Sequence, residues 1–208
     1  MNIQHLDCGF PYILVDEVYD KDELDLIWEE LDFISCGDKM DSPEDTGSAK
    51  LPSTGKYLKN NKGLFLDQMY NVREVSNILN VNRKIFTIDL TEHPSWFWKS
   101  LGPLLSMDTT LVSYYENNDF YDPHTDLSQV TILYWIYREP KKFEGGDLYF
   151  PDYETGIRVK NNRAIIFPSF IEHGVTPITM EKIDDEKLWG RYCITNFVQQ
   201  PLRTSDRI

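Results

Sequence analysis

Two hydrophobic periods divide the chain. Beyond residue 108, short apolar runs alternate with Gly, Pro, Asn and Asp, the pattern of buried strands joined by turns. DTTLVSYYE, QVTILYWIY, GGDLYF, TGIRV, RAIIFP, HGVTPI and RYCITNFV read as seven strands, and PYILV at 11–15 as an eighth. Upstream the period lengthens. Leu24, Ile27, Trp28, Leu31 and Ile34 recur at helical spacing, Asp20 with Glu23 forms a capping pattern, and Gly37 supplies a stop. A helix is therefore expected over about 21–34. A second helical region is expected near 72–82, and HPSWFWKSLGPLL as a short helix or turn against the core.

Helices ahead of an all-β half predict a mainly β (α+β) fold, a double-stranded β-helix or cupin-like jelly roll supported by N-terminal helices. At 208 residues one domain is expected over 1–208, with helical support in 1–107 and the jelly-roll core in 108–200. Between Cys36 and Lys62 the composition turns to Gly, Ser, Pro, Asp, Lys and Asn, which reads as a mobile lid or as disorder. Its Lys50, Lys56, Lys59 and Lys62 attract an acidic substrate or, more plainly, form a solvated face.

Hydrophobic residues at 41 % and aromatics at 13 % suffice for a packed core, which excludes a disordered chain. Lys plus Arg is 21 against 34 Asp plus Glu, a net charge of −13, which disfavours a generic grip on nucleic acid or an anionic membrane. No long apolar run and no basic leader are present, so a cytoplasmic protein is expected, of oligomeric state the sequence does not set. Cys8, Cys36 and Cys193 are odd in number and lack CxxC spacing, which argues against a disulfide framework or zinc knuckle.

Candidate chemistry gathers on two of the four histidines. In YDPHTDL, His124 and Asp126 are two residues apart, so on an extended segment both project to one side and can share an ion. His173, in FPSFIEHGV just after the run RAIIFP, offers a third ligand from a distant strand. Two imidazoles and a carboxylate on one face suit non-haem Fe(II). Arg191 opens the strand RYCITNFV, where a charge on an otherwise apolar face calls for an anion, and Thr195 lies on the same face. Arginine holds a carboxylate with two parallel bonds.

With these residues in place the chain resembles the Fe(II)- and 2-oxoglutarate-dependent oxygenases, in particular the prolyl 4-hydroxylase-like branch. PYILVDEVYDKDELDLIWEEL resembles that branch's opening strand and helix, YYENNDFYDPHTD its tyrosine-rich approach to HxD, FEGGDLYF its Gly-Gly turn, and HGVTPI with WGRYCITNF its distal His and Arg. The resemblance implies that His124, Asp126 and His173 bind iron. It further implies that Arg191 holds the C5 carboxylate of 2-oxoglutarate, with Tyr115 and Thr195 as pocket neighbours. Fe(II), 2-oxoglutarate and O2 are the implied cofactors, with ascorbate as a reductant, and the products are a hydroxylated substrate, succinate and CO2. Asp126 favours hydroxylation, because halogenating relatives lack this carboxylate.

Two departures stand out: Asn118 occupies a position where many relatives have Gly, and the acidic insertion EKIDDEKLWG lengthens the interval from His173 to Arg191. A peptide or free amino-acid side chain, proline first, is the expected substrate, with Tyr121 and Trp189 as aromatic groups beside the iron. The rivals are a nucleic-acid demethylase of the same superfamily and a non-catalytic cupin-like metal-binding protein. Those demethylases usually carry a second Arg where this chain has Phe197.

Overall fold

The structure, a computed structural model, describes residues 1–46, 50, 51, 53–183 and 187–201. Its strands are β1 (Asn2–Asp7), β2 (Pro11–Asp16), β3 (Lys62–Phe65), β4 (Met107–Tyr115), β5 (Tyr121–His124), β6 (Val130–Tyr137) and β7 (Glu144–Gly145). They continue with β8 (Leu148–Phe150), β9 (Thr155–Ile157), β10 (Arg163–Pro168), β11 (His173–Val175), β12 (Ile178–Thr179) and β13 (Arg191–Gln199). A seven-stranded antiparallel sheet runs β1-β2-β10-β6-β13-β4-β3, a four-stranded one β5-β11-β8-β9, and β12 pairs with β7.

Strand alternation sorts the large sheet's side chains into two cores. Ile13, Ile132, Tyr134, Ile166 and Ile194 pack on one side with Ile27, Leu31 and Ile34 of α1 (Lys21–Ser35) and with Trp98. On the other side Leu14, Leu133, Trp135, Ile165 and Phe167 share a cluster with Leu148, Phe150, Ile157 and Val175 of the four-stranded sheet. Both faces of β6 are covered, which is why VTILYWIY is nearly uninterrupted hydrophobic sequence. The architecture is a mixed α/β fold of antiparallel sheets, and none of them closes into the expected jelly-roll barrel among the described residues.

Helix α1 forms where its periodicity placed it. Asp20 accepts from the Glu23 amide while the Glu23 carboxylate accepts from the Asp20 amide. The chain then leaves the helix through Cys36 in extended backbone, with Gly37 following at φ +69°. The second helical region is broken into a helix over Asn77–Val81 between two 3-10 turns, and the Trp-rich stretch makes a helix over Trp96–Leu101 capped by Ser95. Asn118 takes φ +70°, the left-handed backbone that Asn tolerates.

Three strands carry little sequence signal. β1 is an edge strand with mostly exposed residues, β3 spans four residues beside a polar loop, and β5 contains Pro123, which cannot donate to a ladder. Because β1, β2 and β3 join the large sheet, the first 107 residues supply strands as well as helical support. GGDLYF and HGVTPI each divide into two strands, the first at Gly145 and Gly146, both at φ +74°. No helix among the described residues is long and apolar enough to cross a membrane.

Segment 36–62 is only partly described, since 47–49 and 52 lie outside the described residues, as do 184–186 of the acidic insertion. The later part of the segment is docked on β5. Lys59 bridges to Tyr121, the Asp122 amide donates to Leu58 O at 2.6 Å, the Asn60 amide donates to Phe120 O at 3.1 Å, and Lys56 pairs with Asp122 at 2.7 Å.

Replacing Asp20 with Ala removes one half of the reciprocal cap and is expected to cost about 1 kcal/mol, or about 2–4 °C in melting temperature. Calorimetry of Asp20→Ala beside Asp20→Asn checks this: unchanged melting in both would mean that α1 is held by its packing alone.

Candidate metal centre and its cavity

The β5–β11 pairing brings the two histidines together. His124 ends β5, His173 begins β11, and the two are cross-strand partners. Between this pair and the Tyr121–Val175 pair β5 carries one extra residue. In a regular strand Tyr121 and His124 would face opposite sides, whereas this bulge turns them to the same side. Their rings stack at 3.6 Å and 8°. Asp126 lies just past the strand, where its amide donates to Ser169 O at 3.0 Å, tying it to the segment that leads into His173.

One ligand atom from each of His124, Asp126 and His173 falls within 4.8 Å of the others. Both imidazoles are oriented alike: His124 Nδ1 is 2.9 Å from Asp122 O and His173 Nδ1 is 2.9 Å from Ile171 O. A carbonyl only accepts, so each Nδ1 carries the proton and each Nε2 lone pair is left for an ion. The Nε2 atoms stand 3.7 and 3.5 Å from the Asp126 oxygens. Burial, then the neighbouring His173, pushes His124 down to about 3, which keeps it neutral and fit to ligate. Burial also pushes the Asp126 carboxyl up, against the opposing pull of His173 and the Thr131 hydroxyl. This donor set fits a divalent transition metal with open positions.

The carboxylate has a support that the sequence did not reveal. Thr131 Oγ1 donates to Asp126 Oδ2 at 2.5 Å, and Ser169 Oγ lies 2.8 Å from that threonine oxygen. The Thr131 proton is committed to the carboxylate, so Ser169 is the donor in the second contact. Both residues are fully buried. Ser and Thr have no motif spacing here; only the pairing of β6 with β10 joins them.

A cavity of about 860 Å³ opens on the three ligand residues. Tyr115, Tyr121 and Thr195 line it with Leu133 and Cys193. Arg191 lies just beyond this wall, on the β13 face that carries Cys193 and Thr195, opposite Tyr115 and Tyr137. Its exposure is 0 %, its guanidinium carbon is 4.2 Å from the Tyr115 ring centroid, and none of its three nitrogens has a hydrogen-bond partner among the described residues. Glycines allow this enclosure. A Cβ at Gly146 would come within 3.3 Å of Arg191 Nε, and one at Gly190 within 2.1 Å of the Tyr115 carbonyl oxygen.

Trp189 is not brought to the metal residues. It lines a separate depression with Trp28 and Arg138, and the Lys142 ammonium stands 5.8 Å over its indole. The loop after β6 holds the ring there, so its expected place beside the iron is corrected. The solvated-face reading also fails for one lysine: Lys59 is 3 % exposed, 5.9 Å over the Tyr121 ring, and lowered to about 8 by burial. Lys62 is exposed, and Lys50 lines the cavity.

Residues 110–199 match the family profile described as the 2OG-Fe(II) oxygenase superfamily. No curated protein matches the chain. Solved structures of similar fold include the viral collagen prolyl hydroxylase of Paramecium bursaria Chlorella virus-1 in complex with 2OG, at 13 % identity and TM-score 0.52 over 90 % of this chain and 94 % of that one. A Pseudomonas putida prolyl-4-hydroxylase is 13 % identical at TM-score 0.54, over 93 % and 94 % of the two chains. OsALKBH1 is 16 % identical at TM-score 0.56, over 96 % and 100 %. At these identities the likeness is one of fold.

Removing the hydroxyl that holds Asp126 is expected to weaken metal binding by about 10–100-fold in Thr131→Val, with Thr131→Ser retaining most of it. Anaerobic equilibrium dialysis with Fe(II) or Co(II) measures this. Equal affinity in Thr131→Val would show that the carboxylate needs no such support.

Proposed function

We propose, from the match of residues 110–199 to the 2OG-Fe(II) oxygenase superfamily profile, that the protein is an Fe(II)- and 2-oxoglutarate-dependent dioxygenase. Its reaction hydroxylates an unactivated C–H bond, a prolyl or other amino-acid side chain first, and releases succinate and CO2. The seven- and four-stranded sheets with their shared core are read as the two layers of a jelly roll. The observation that carries the reading is the enclosed Arg191 guanidinium, without a carboxylate partner among the described residues, beside a cavity that holds two Nε2 atoms and a carboxylate.

Iron with dioxygen and 2-oxoglutarate supplies the oxidising chemistry when bound; the chain positions and shields it. His124 and His173 would ligate through Nε2 and Asp126 through its carboxylate, with the Nδ1–carbonyl bonds fixing both rings. Arg191 would take the far carboxylate of the cosubstrate with two parallel N–H donors, beside Thr195 and Tyr115. Leu133 and Val175 in the cavity wall limit water there. An amino-acid side chain is favoured over a nucleic acid because the net charge is −13 and because Phe197 stands where related demethylases carry a second Arg. Asp126 favours hydroxylation over halogenation.

Losing a bidentate, charge-assisted pair costs about 2–5 kcal/mol, so Arg191→Ala is expected to raise the 2-oxoglutarate dissociation constant by tens to thousands-fold while metal binding survives. Calorimetric titration checks it; an unchanged constant would place the anchor elsewhere. The reaction itself is tested by succinate release in the presence of prolyl peptides, free amino acids and nucleic acids, with mass spectrometry of each. One added oxygen on an amino-acid or peptide substrate supports the proposal, and oxidation confined to nucleic acid rejects it.

A further inference from the structure

Strand β13 presents Arg191, Cys193, Thr195 and Phe197 on one face, because alternate side chains of a strand point the same way. Six residues of strand place Phe197 about 20 Å from Arg191. A five-carbon dicarboxylate is less than about half that long, so one held at Arg191 ends short of the level of Thr195, which lies about 13 Å along the strand. The cavity continues past that level, to Phe197, Phe65, Leu111 and Thr109.

These residues form one surface by strand register. Phe65 is the cross-strand partner of Leu111, Leu111 is the partner of Thr195, and Thr109 is the partner of Phe197. The Phe65 and Phe197 ring centroids are 6.4 Å apart, both rings are half-buried, and Leu111 is buried. On the rim Leu127, the residue after the ligand Asp126, is fully exposed. Apart from the metal ligands, the charged residues lining the cavity among the described residues are Lys50 and Glu172.

Resting on the oxygenase reading, we infer that Phe65, Phe197 and Leu111 form the substrate shelf, and that it takes an uncharged aliphatic or saturated-ring side chain. A charged side chain seated there would lose its hydration against two phenyl rings and a leucine without gaining a partner from them. An apolar one gains contact on both rings. Thr131, whose hydroxyl holds Asp126, is the cross-strand partner of Phe197 on β6, so a group resting on the shelf lies at the level of the metal residues rather than that of Arg191. Phe197 is a specificity residue in this arrangement, and its apolar bulk is the feature the substrate reads.

The test measures 2-oxoglutarate-dependent succinate release in the presence of L-proline, L-leucine, L-aspartate and L-lysine, each as the free amino acid and as its N-acetyl amide. The expected result is stimulation by the neutral pair with kcat/KM at least tenfold above the charged pair, the two chemical forms separating a free amino acid from a peptide-like substrate. In Phe197→Ala that kcat/KM should fall about tenfold, chiefly through KM, and Phe197→Leu should recover most of it. Equal use of charged and neutral side chains, no stimulation by either, or no KM change in Phe197→Ala overturns the shelf. Failure of the oxygenase reading shows separately, as absence of 2-oxoglutarate binding by calorimetry in the Fe(II)-loaded protein.

Discussion

A guanidinium enclosed without an acceptor costs several kcal/mol unless an anion joins it, and the fold goes to some length to enclose Arg191. Gly146 and Gly190 remove the two Cβ atoms that would press on the guanidinium and on the backbone beside it, and Tyr115 covers the guanidinium with its ring. In a chain with 34 acidic residues, a carboxylate for one Arg is easy to supply, yet none meets Arg191 among the described residues. The cavity beside it makes sense of that arrangement, since an anion entering from the metal side meets donors already held in place.

Placement of the metal residues follows from the same sheet architecture. His124 and His173 face each other because β5 and β11 pair at those positions, and Asp126 is held by Thr131 on β6 and by the backbone of Ser169. β10 and β6 belong to the large sheet and β5 and β11 to the small one, so the metal residues sit where the two meet. Stability of the shared core and geometry of the site are thereby coupled: slippage of β10 on β6 would separate Ser169 from Thr131.

Much of this was legible in the sequence, and for physical reasons. Alternation marked the buried strands, the Asp20–Glu23 pattern marked α1, and HxD marked His124 and Asp126, because each depends on local spacing, whereas His173 and Arg191 were marked by the strand runs they adjoin and by the family resemblance. Other features depend on cross-strand register, which local spacing does not encode. The bulge that stacks Tyr121 on His124, the hydroxyls of Thr131 and Ser169 behind Asp126, and the burial of Lys59 all belong to this class. Trp189 belongs with them: it is close to Arg191 in sequence, but the chain bends at Gly190, and the ring lies under Lys142 in a separate depression that Trp28 also lines.

The joint claim about the triad and Arg191 is tested most directly by anaerobic visible absorption. Fe(II) is added to the protein, followed by 2-oxoglutarate. A weak charge-transfer absorption that requires both additions, and that is lost in folded His124→Ala, is the expected result. A folded wild-type protein that shows no such absorption at saturating concentrations of both would contradict the account.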